Sequence, residues 1–400
     1  MLDFTKEKSN CMGCSACYAA CPVQCIKMEP DEEGFLYPTA SPKCIHCEKC
    51  KRICPIATPN VEEGGMAFQK SAWCAVTKKY RIWKRSASGG AFSEICKAFG
   101  DDETIICGAA WDGLRVHHVC VKGVRNIAAL CKSKYVASNP ENVFAEIQQY
   151  LKGGKKVVFC GTPCQVAGLK RYIGNQDKNL LLIDLICHGV GSQKVFEACV
   201  NSLSKQFENN IVGYEFRAKG RVYETDHLQK ITSDNGNKLL VQNDPYMQLF
   251  LKQLSLRPSC GGNCHFRIEN RVSDITIADF KGVSKVFPKL YLSKRNFSSI
   301  IIHTEKGNLL LEQLKKNMVM YSCTIDDIKE HNPLFYRQTW IAHNRDDFFA
   351  DFISNEKGAI SKWCCEASEY KLSWKGKIWC LLPNIIRRQL IRFVQKKHSK

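Results

Sequence analysis

The sequence predicts an α/β protein, with a small α+β unit leading a larger mixed α/β unit. Three observations carry this. Two cysteine strings of identical spacing lie between positions 11 and 54, on either side of an extended stretch with a turn at Gly34. Two later segments, 157–173 and 180–203, each read as strand, tight loop and helix. Hydrophobic residues make up 44% of the chain, as expected of a packed core and not of a disordered chain.

The elements follow in order. IKMEPDEEGFLYPTASPK is extended on both sides of Gly34 and forms a hairpin. Residues 55–70 contain Pro55, Pro59, Asn60, Gly64 and Gly65 and read as a linker. Residues 72–76 make a strand, 86–90 (SASGG) a loop and 91–99 a helix. Residues 104–111 and 116–121 are adjacent strands around a DG turn. Apolar positions Val143, Phe144, Ile147 and Leu151 make 142–152 a helix. Strands 157–160 and 180–187 are each followed by a loop (GTPC, HGVGS) and a helix, which sets parallel strands side by side under packed helices. Residues 274–280 add one more buried strand. The expected division is 1–60, then 70–150 and 151–345 as two parts of one domain, and 346–400 as a basic helical extension.

The cysteine strings are the strongest signal. Cys11, Cys14, Cys17 and Cys21 form C-x2-C-x2-C-x3-C before Pro22, and Cys44, Cys47, Cys50 and Cys54 repeat it before Pro55. Bacterial-type ferredoxins hold two 4Fe–4S clusters this way, the fourth cysteine of each string reaching the other cluster. Cys11, Cys14, Cys17 and Cys54 are therefore assigned to one cluster, and Cys44, Cys47, Cys50 and Cys21 to the other. Gly13, Ser15 and Ala16 are small, which lets backbone amides approach the sulfurs. Structural zinc also takes four cysteines, but nothing in a zinc site calls for two C-x3-C-P endings.

Sixteen of the 24 cysteines lie outside these strings. Thiolate-ligated clusters need reduced thiols, and MLDFTKEKSN has no apolar core of a signal peptide, so the expected compartment is the cytoplasm. Cys25, Cys74, Cys96, Cys107, Cys120, Cys131, Cys199 and Cys323 stand singly and read as small buried hydrophobes. No stretch reaches the length of a membrane span. The net charge of +19 is uneven: residues 1–60 balance seven Lys/Arg against seven Asp/Glu, while the last thirty carry nine Lys/Arg and no acid. There, from Pro383, Ile386, Leu390, Phe393 and Val394 share one helical face, with Arg388, Arg392 and Lys396 opposite. Trp374 and Trp379 precede them. This tail either lies on an anionic membrane, at the inner face, or caps the protein's own core. No zinc-finger or RNP-type motif supports nucleic-acid binding. Neither a G-x-G-x-x-G turn after a strand nor a P-loop is present.

SASGGAFSEI, KSKYVAS, VVFCGTPCQVAGL, LLIDLICHGV, LRPSCGGNC and DITIADFKG occur in one order, and with it the chain resembles the coenzyme F-420 hydrogenase/dehydrogenase beta-subunit family, in the form with an N-terminal two-cluster ferredoxin. The resemblance runs from Cys11 to Gly282, about two thirds of the chain. It implies an iron–sulfur flavoprotein. Ser88, Gly89, Gly90, Lys134 and Tyr135 match flavin-binding positions. Two glycines at a helix N-terminus and a nearby lysine suit an anionic ligand such as FAD. Read without the resemblance, SGG is a helix-starting turn and Lys134 a solvated lysine. Cys164, Cys187, Cys260 and Cys264 match the ligands of a third 4Fe–4S cluster. The last pair is C-x3-C where the family pattern has C-x2-C, and the extra residue is either absorbed by the glycine-rich loop or alters ligation. His188 is the candidate proton donor, against the plainer reading of a structural strand-end histidine.

The function expected from this is an oxidoreductase. Electrons come from a ferredoxin or another redox protein, pass through the clusters and FAD, and leave to an organic two-electron acceptor, in surface-polysaccharide metabolism or as coenzyme F-420. The rival is a non-enzymatic electron-transfer subunit of a larger complex.

Overall fold

The computed structural model describes residues 8–57, 69–174, 178–219, 228–262, 264–269, 271–290, 295–337 and 342–371. The amphipathic tail beyond Lys371 lies outside the described residues.

The cysteine strings each wrap into a loop and a short helix, α1 (Ala16–Ala19) and α2 (Lys49–Ile53). Between them β1 (Ile26–Pro30) and β2 (Leu36–Ala40) form the expected antiparallel hairpin. The wraps repeat each other in backbone: Gly13 and Ser15 have φ of 67° and 61°, and His46 and Glu48 have 53° and 56°. Small side chains are thus not what permits the wrap, since His46 and Glu48 adopt it too. Gly13 has a separate reason. A Cβ there would stand 2.9 Å from Nη1 of Arg257.

The main sheet takes β3 (Ser71–Thr77), β4 (Ile105–Asp112), β5 (Arg115–Lys122), β6 (Val157–Cys160) and β7 (Leu180–Leu185). A four-stranded antiparallel sheet follows, with β8 (Ile211–Glu215), β9 (Gln229–Ser233) and β10 (Lys238–Gln242). The chain then returns to the main sheet with β11 (Ile275–Asp279), β12 (Ser298–Ile302) and β13 (Met318–Cys323) before β14 (Ser368–Glu369) joins β10. The order of the main sheet is β13-β3-β12-β11-β7-β6-β4-β5. Its centre is parallel, β4 to β6 to β7 to β11, and its flanks are antiparallel. The near-continuous apolar runs of β6 and β7, interrupted in β7 only by the ion-paired Asp184, are what strands buried on both faces require.

Helices α3 (Tyr80–Arg85), α4 (Ala91–Phe99), α5 (Val143–Lys152), α6 (Pro163–Ile173), α7 (Gln193–Gln206) and α8 (Pro245–Leu251) join these strands. Thr162 and Gln165 form a capping box that starts α6. On α6, Gly168 leaves room for the cysteine wrap, because a Cβ there would lie 3.0 Å from Cys14 Sγ. The later helix Arg345–Ser354 puts Phe348, Phe349 and Phe352 into the apolar cluster that holds Phe196 and Tyr246. The hairpin turn is held to the same region: Ser192 Oγ donates to Glu33 O, and Arg345 forms a two-pronged ion pair with Glu33.

One expectation is corrected. Cys107 and Cys120, read as separate buried hydrophobes, are directly opposite on β4 and β5 and are joined as a disulfide. Their Cα atoms lie 4.2 Å apart, the close approach of facing residues in an antiparallel pair.

A buried polar chain crosses the sheet. Arg271 pairs with Asp184 at 3.4 Å, Thr276 Oγ1 donates to Asp184, and His303 Nε2 lies 2.8 Å from Thr276 Oγ1. Burial, with Lys70 and Arg271 nearby, pushes His303 down to about 3. The folded chain therefore keeps this imidazole neutral, while the unfolded chain takes up a proton below about pH 6.5. Stability should fall as pH drops through 6.5, this residue alone costing roughly 2 kcal/mol by pH 5. Urea unfolding at pH 7 and pH 5 checks this: His303→Gln should lose less stability between the two than the parent, and an equal loss would remove His303 as the cause.

Candidate metal centres

Cys11, Cys14, Cys17 and Cys54 line one small cavity, closed by Met28, Pro55 and Ile56. This is the quartet assigned to the first cluster from the spacing. Burial pushes the Cys14 thiol up to about 12, with Cys11 and Cys54 adding like-charge repulsion. Cys17 is raised further by burial and by Cys14, Cys11 and Cys54. Thiols so enclosed do not ionise together in the bare protein; a bound cationic metal core is what deprotonates such a set.

Cys25, buried as the sequence suggests, stands beside both Cys21 and Cys44 of the second quartet. Its Sγ lies 3.4 Å from Cys21 Sγ, its N–H donates to Cys21 Sγ at 3.3 Å, and Cys44 is near enough to interact with it. Burial opposes ionisation of Cys21, yet hydrogen bonds from Cys25 outweigh it and lower the thiol below its usual value. The outer loop is open to solvent, with Ile45 60% exposed.

The third quartet converges. Cys164 sits in the first turn of α6, Cys187 two residues past β7, Cys260 in the short helical turn Pro258–Cys260, and Cys264 just beyond it. All four line a single cavity at the carboxyl ends of the parallel strands. Burial raises Cys164 and pushes Cys187 up to about 12, and each feels the neighbouring cysteines of the set. The extra residue of the C-x3-C does not turn Cys264 away. Met12 and Gly13 of the first wrap line the same cavity, and Cys14 interacts with Cys164. Among the described residues, no three His, Cys, Asp or Glu side chains close on a single-ion position.

Arg257, Arg267 and Arg271 also line this cavity, and sequence reasoning missed all three. The signal was present, since arginines bracket the cysteine pair in LRPSCGGNCHFRIENR. Asp184 answers the charge of Arg271. Four thiolates around an iron–sulfur core carry net negative charge, and a cavity lined by guanidinium groups suits that occupant.

The flavin positions look different. Gly89 is packed between strands: a Cβ there would lie 2.3 Å from Ala75 O and 2.6 Å from Ser298 N. Ser88 Oγ donates to Phe297 O, and Ser88 O accepts from Lys219. Gly90 packs against Thr77 and Ile82. Lys134 Nζ donates to the carbonyls of Ala129 and Cys131 at 3.0 and 2.8 Å, capping a short helical turn. The Tyr135 ring packs on Phe216 and Phe250. Ser88, Lys134 and Tyr135 are thus engaged in contacts within the protein, and Gly89 and Gly90 are closely packed, so as they stand these residues offer a flavin a poor fit. His188 packs on Phe250, and burial, reinforced by Arg267, pushes its imidazole down to about 4, so it is neutral near pH 7. It does not line the cysteine cavity.

The fold and its cysteine sites define an iron–sulfur redox protein. Residues 10–63 match the family described as 4Fe-4S dicluster domain, and residues 154–328 match the one described as the C-terminal region of the coenzyme F420 hydrogenase/dehydrogenase beta subunit. Residues 154–328 are thus similar to this beta-subunit family, and they follow a segment similar to a 4Fe–4S dicluster domain. Among solved structures, a chain of the xenon-derivatised F420-reducing NiFe hydrogenase complex from Methanosarcina barkeri is 17% identical, the match covering 76% of this chain and 96% of that one with a TM-score of 0.43. No curated protein matches. Among the described residues, no helix is long and apolar enough to cross a membrane.

Proposed function

We propose that the chain is an electron-relay subunit in which twelve of the 24 cysteines hold three 4Fe–4S clusters in series. The observation that carries this is one cavity shared by Cys164, Cys187, Cys260 and Cys264 and walled by Met12 and Gly13 of the first cysteine wrap. Bound clusters supply one-electron transfer. The protein's part is spacing, charge and enclosure. Residues 1–60 receive electrons at the exposed Cys44–Cys50 loop, where Ile45 offers a redox partner an apolar contact. Gly168 lets α6 approach the Cys14 wrap, shortening the gap between first and third sites. Buried arginines then favour negative charge at the inner end. The engagement of Ser88, Lys134 and Tyr135 within the protein favours the electron-transfer reading over a flavin enzyme acting on an organic two-electron substrate.

Iron, sulfide and flavin content of anaerobically purified protein tests this. About twelve irons and no flavin per chain is the expected result. About eight irons would remove the third cluster. One flavin per chain with three clusters would return the assignment to a flavin-dependent oxidoreductase.

A further inference from the structure

Arg257 occupies a place no cysteine pattern announces. It is 3% exposed, its Nε donates to Cys11 O at 2.7 Å, and its Nη2 donates to Leu36 O at 3.0 Å. The guanidinium lies 4.2 Å over the Tyr37 ring and sits against Gly13. The same side chain lines the cavity of Cys164, Cys187, Cys260 and Cys264, and Cys260 N donates to Arg257 O at 2.9 Å. Ser259, two residues on, donates a second hydrogen bond to Cys11 O at 2.9 Å. The segment Arg257–Cys260 therefore clasps the first wrap and contributes to the third site at once.

A buried cation is costly unless an anion answers it. The polar partners of Arg257 are carbonyl oxygens, and no carboxylate among the described residues forms an ion pair with it. The cysteines that interact with its charge are Cys11 on one side and Cys260 on the other, and these would be thiolates once a cluster is bound. We propose that Arg257 is the shared counter-ion of two neighbouring iron–sulfur clusters, the one held by Cys11, Cys14, Cys17 and Cys54 and the one held by Cys164, Cys187, Cys260 and Cys264. This rests on the three-cluster reading above. When one electron passes between the two sites, the donor loses one negative charge and the acceptor gains one. A fixed positive charge between them stabilises the electron at either site, so the transfer needs no proton and no movement of a compensating group. The cluster of Cys44, Cys47, Cys50 and Cys21 lies outside this arrangement.

The test uses the full chain, prepared anaerobically with its clusters, as the parent and as Arg257→Met, Arg257→Gln and Arg257→Lys. Iron content is measured first, then the midpoint potential of each cluster by reductive titration followed by electron paramagnetic resonance. Glutamine keeps a donor for the Cys11 carbonyl without the charge, and lysine keeps the charge without the fork. With full iron, the neutral variants should shift two midpoints to more negative potential and leave the third unchanged, and lysine should recover most of the shift. Loss of iron from the neutral variants but not from lysine would also support the charge role. Unchanged potentials in iron-replete neutral variants would overturn it, as would iron loss in all three, which would make the guanidinium's shape the requirement. About eight irons in the parent would overturn the three-cluster reading itself, and the shared counter-ion with it.

Discussion

Cys187→Ala is expected to lose about four of about twelve irons per chain and keep the rest. Cys187 stands just past the carboxyl end of β7, in the cavity that Cys164, Cys260 and Cys264 complete from α6 and the loop after Arg257. Removing one thiolate of four leaves an iron corner without its protein ligand, and the enclosed site offers no exposed substitute. The eight N-terminal cysteines lie outside the change, so the loss should be confined to one spectroscopic species. Cys199→Ala is the control. Cys199 is fully buried on α7 and belongs to the apolar cluster around Phe196, so its loss should leave iron unchanged. Full iron in Cys187→Ala would remove Cys187 from the ligand set.

Gly89→Ala is expected to destabilise the fold by about 3 kcal/mol while leaving cluster iron in place. The new Cβ would press on Ala75 O of β3 and Ser298 N of β12, and these backbone atoms cannot rotate away as a side-chain tip would. The Gly89 N–H already donates to Ser298 Oγ, and Gly89 O accepts from Thr77 N, so the loop is stitched to both strands. Urea unfolding of parent and variant measures the effect. A variant as stable as the parent would mean that the SGG loop stands free of the sheet, and its glycines would again invite a ligand-binding explanation.

That pair of results bears on what a sequence reveals. The cysteine spacing groups Cys54 with Cys11, Cys14 and Cys17 because C-x3-C-P is a local rule, and these four line one cavity. The strands Val157–Cys160 and Leu180–Leu185 were legible because burial on both faces leaves a near-continuous apolar run, broken in the second only by Asp184. Helix Ala91–Phe99 was legible because Gly90, in the left-handed region, marks its start. The second sheet was not: β8, β9 and β10 are short and mix polar with apolar positions, and β14 contributes two residues from more than a hundred positions away. β13 escaped for a similar reason, being an edge strand with half-exposed positions. The arginines around the third cavity were invisible for a different reason. Nothing local distinguishes a buried guanidinium from a solvated one, and only the return of the chain past Cys11 sets Arg257 apart. Glycine pairs are ambiguous in the same way, since SGG serves equally for a phosphate cradle and for two strands packed at close quarters.

The hairpin turn is fastened to the core by Ser192 and by the fork of Arg345, and the first cysteine wrap is held at Cys11 by Arg257 and Ser259. These two sets of hydrogen bonds tie the N-terminal unit to the larger one. Many redox assemblies carry charge on a tethered arm that shuttles between stations, so their throughput follows the arm's diffusion. On the proposed relay, the gaps between clusters would instead be set at folding, and the rate would depend on tunnelling distance and driving force.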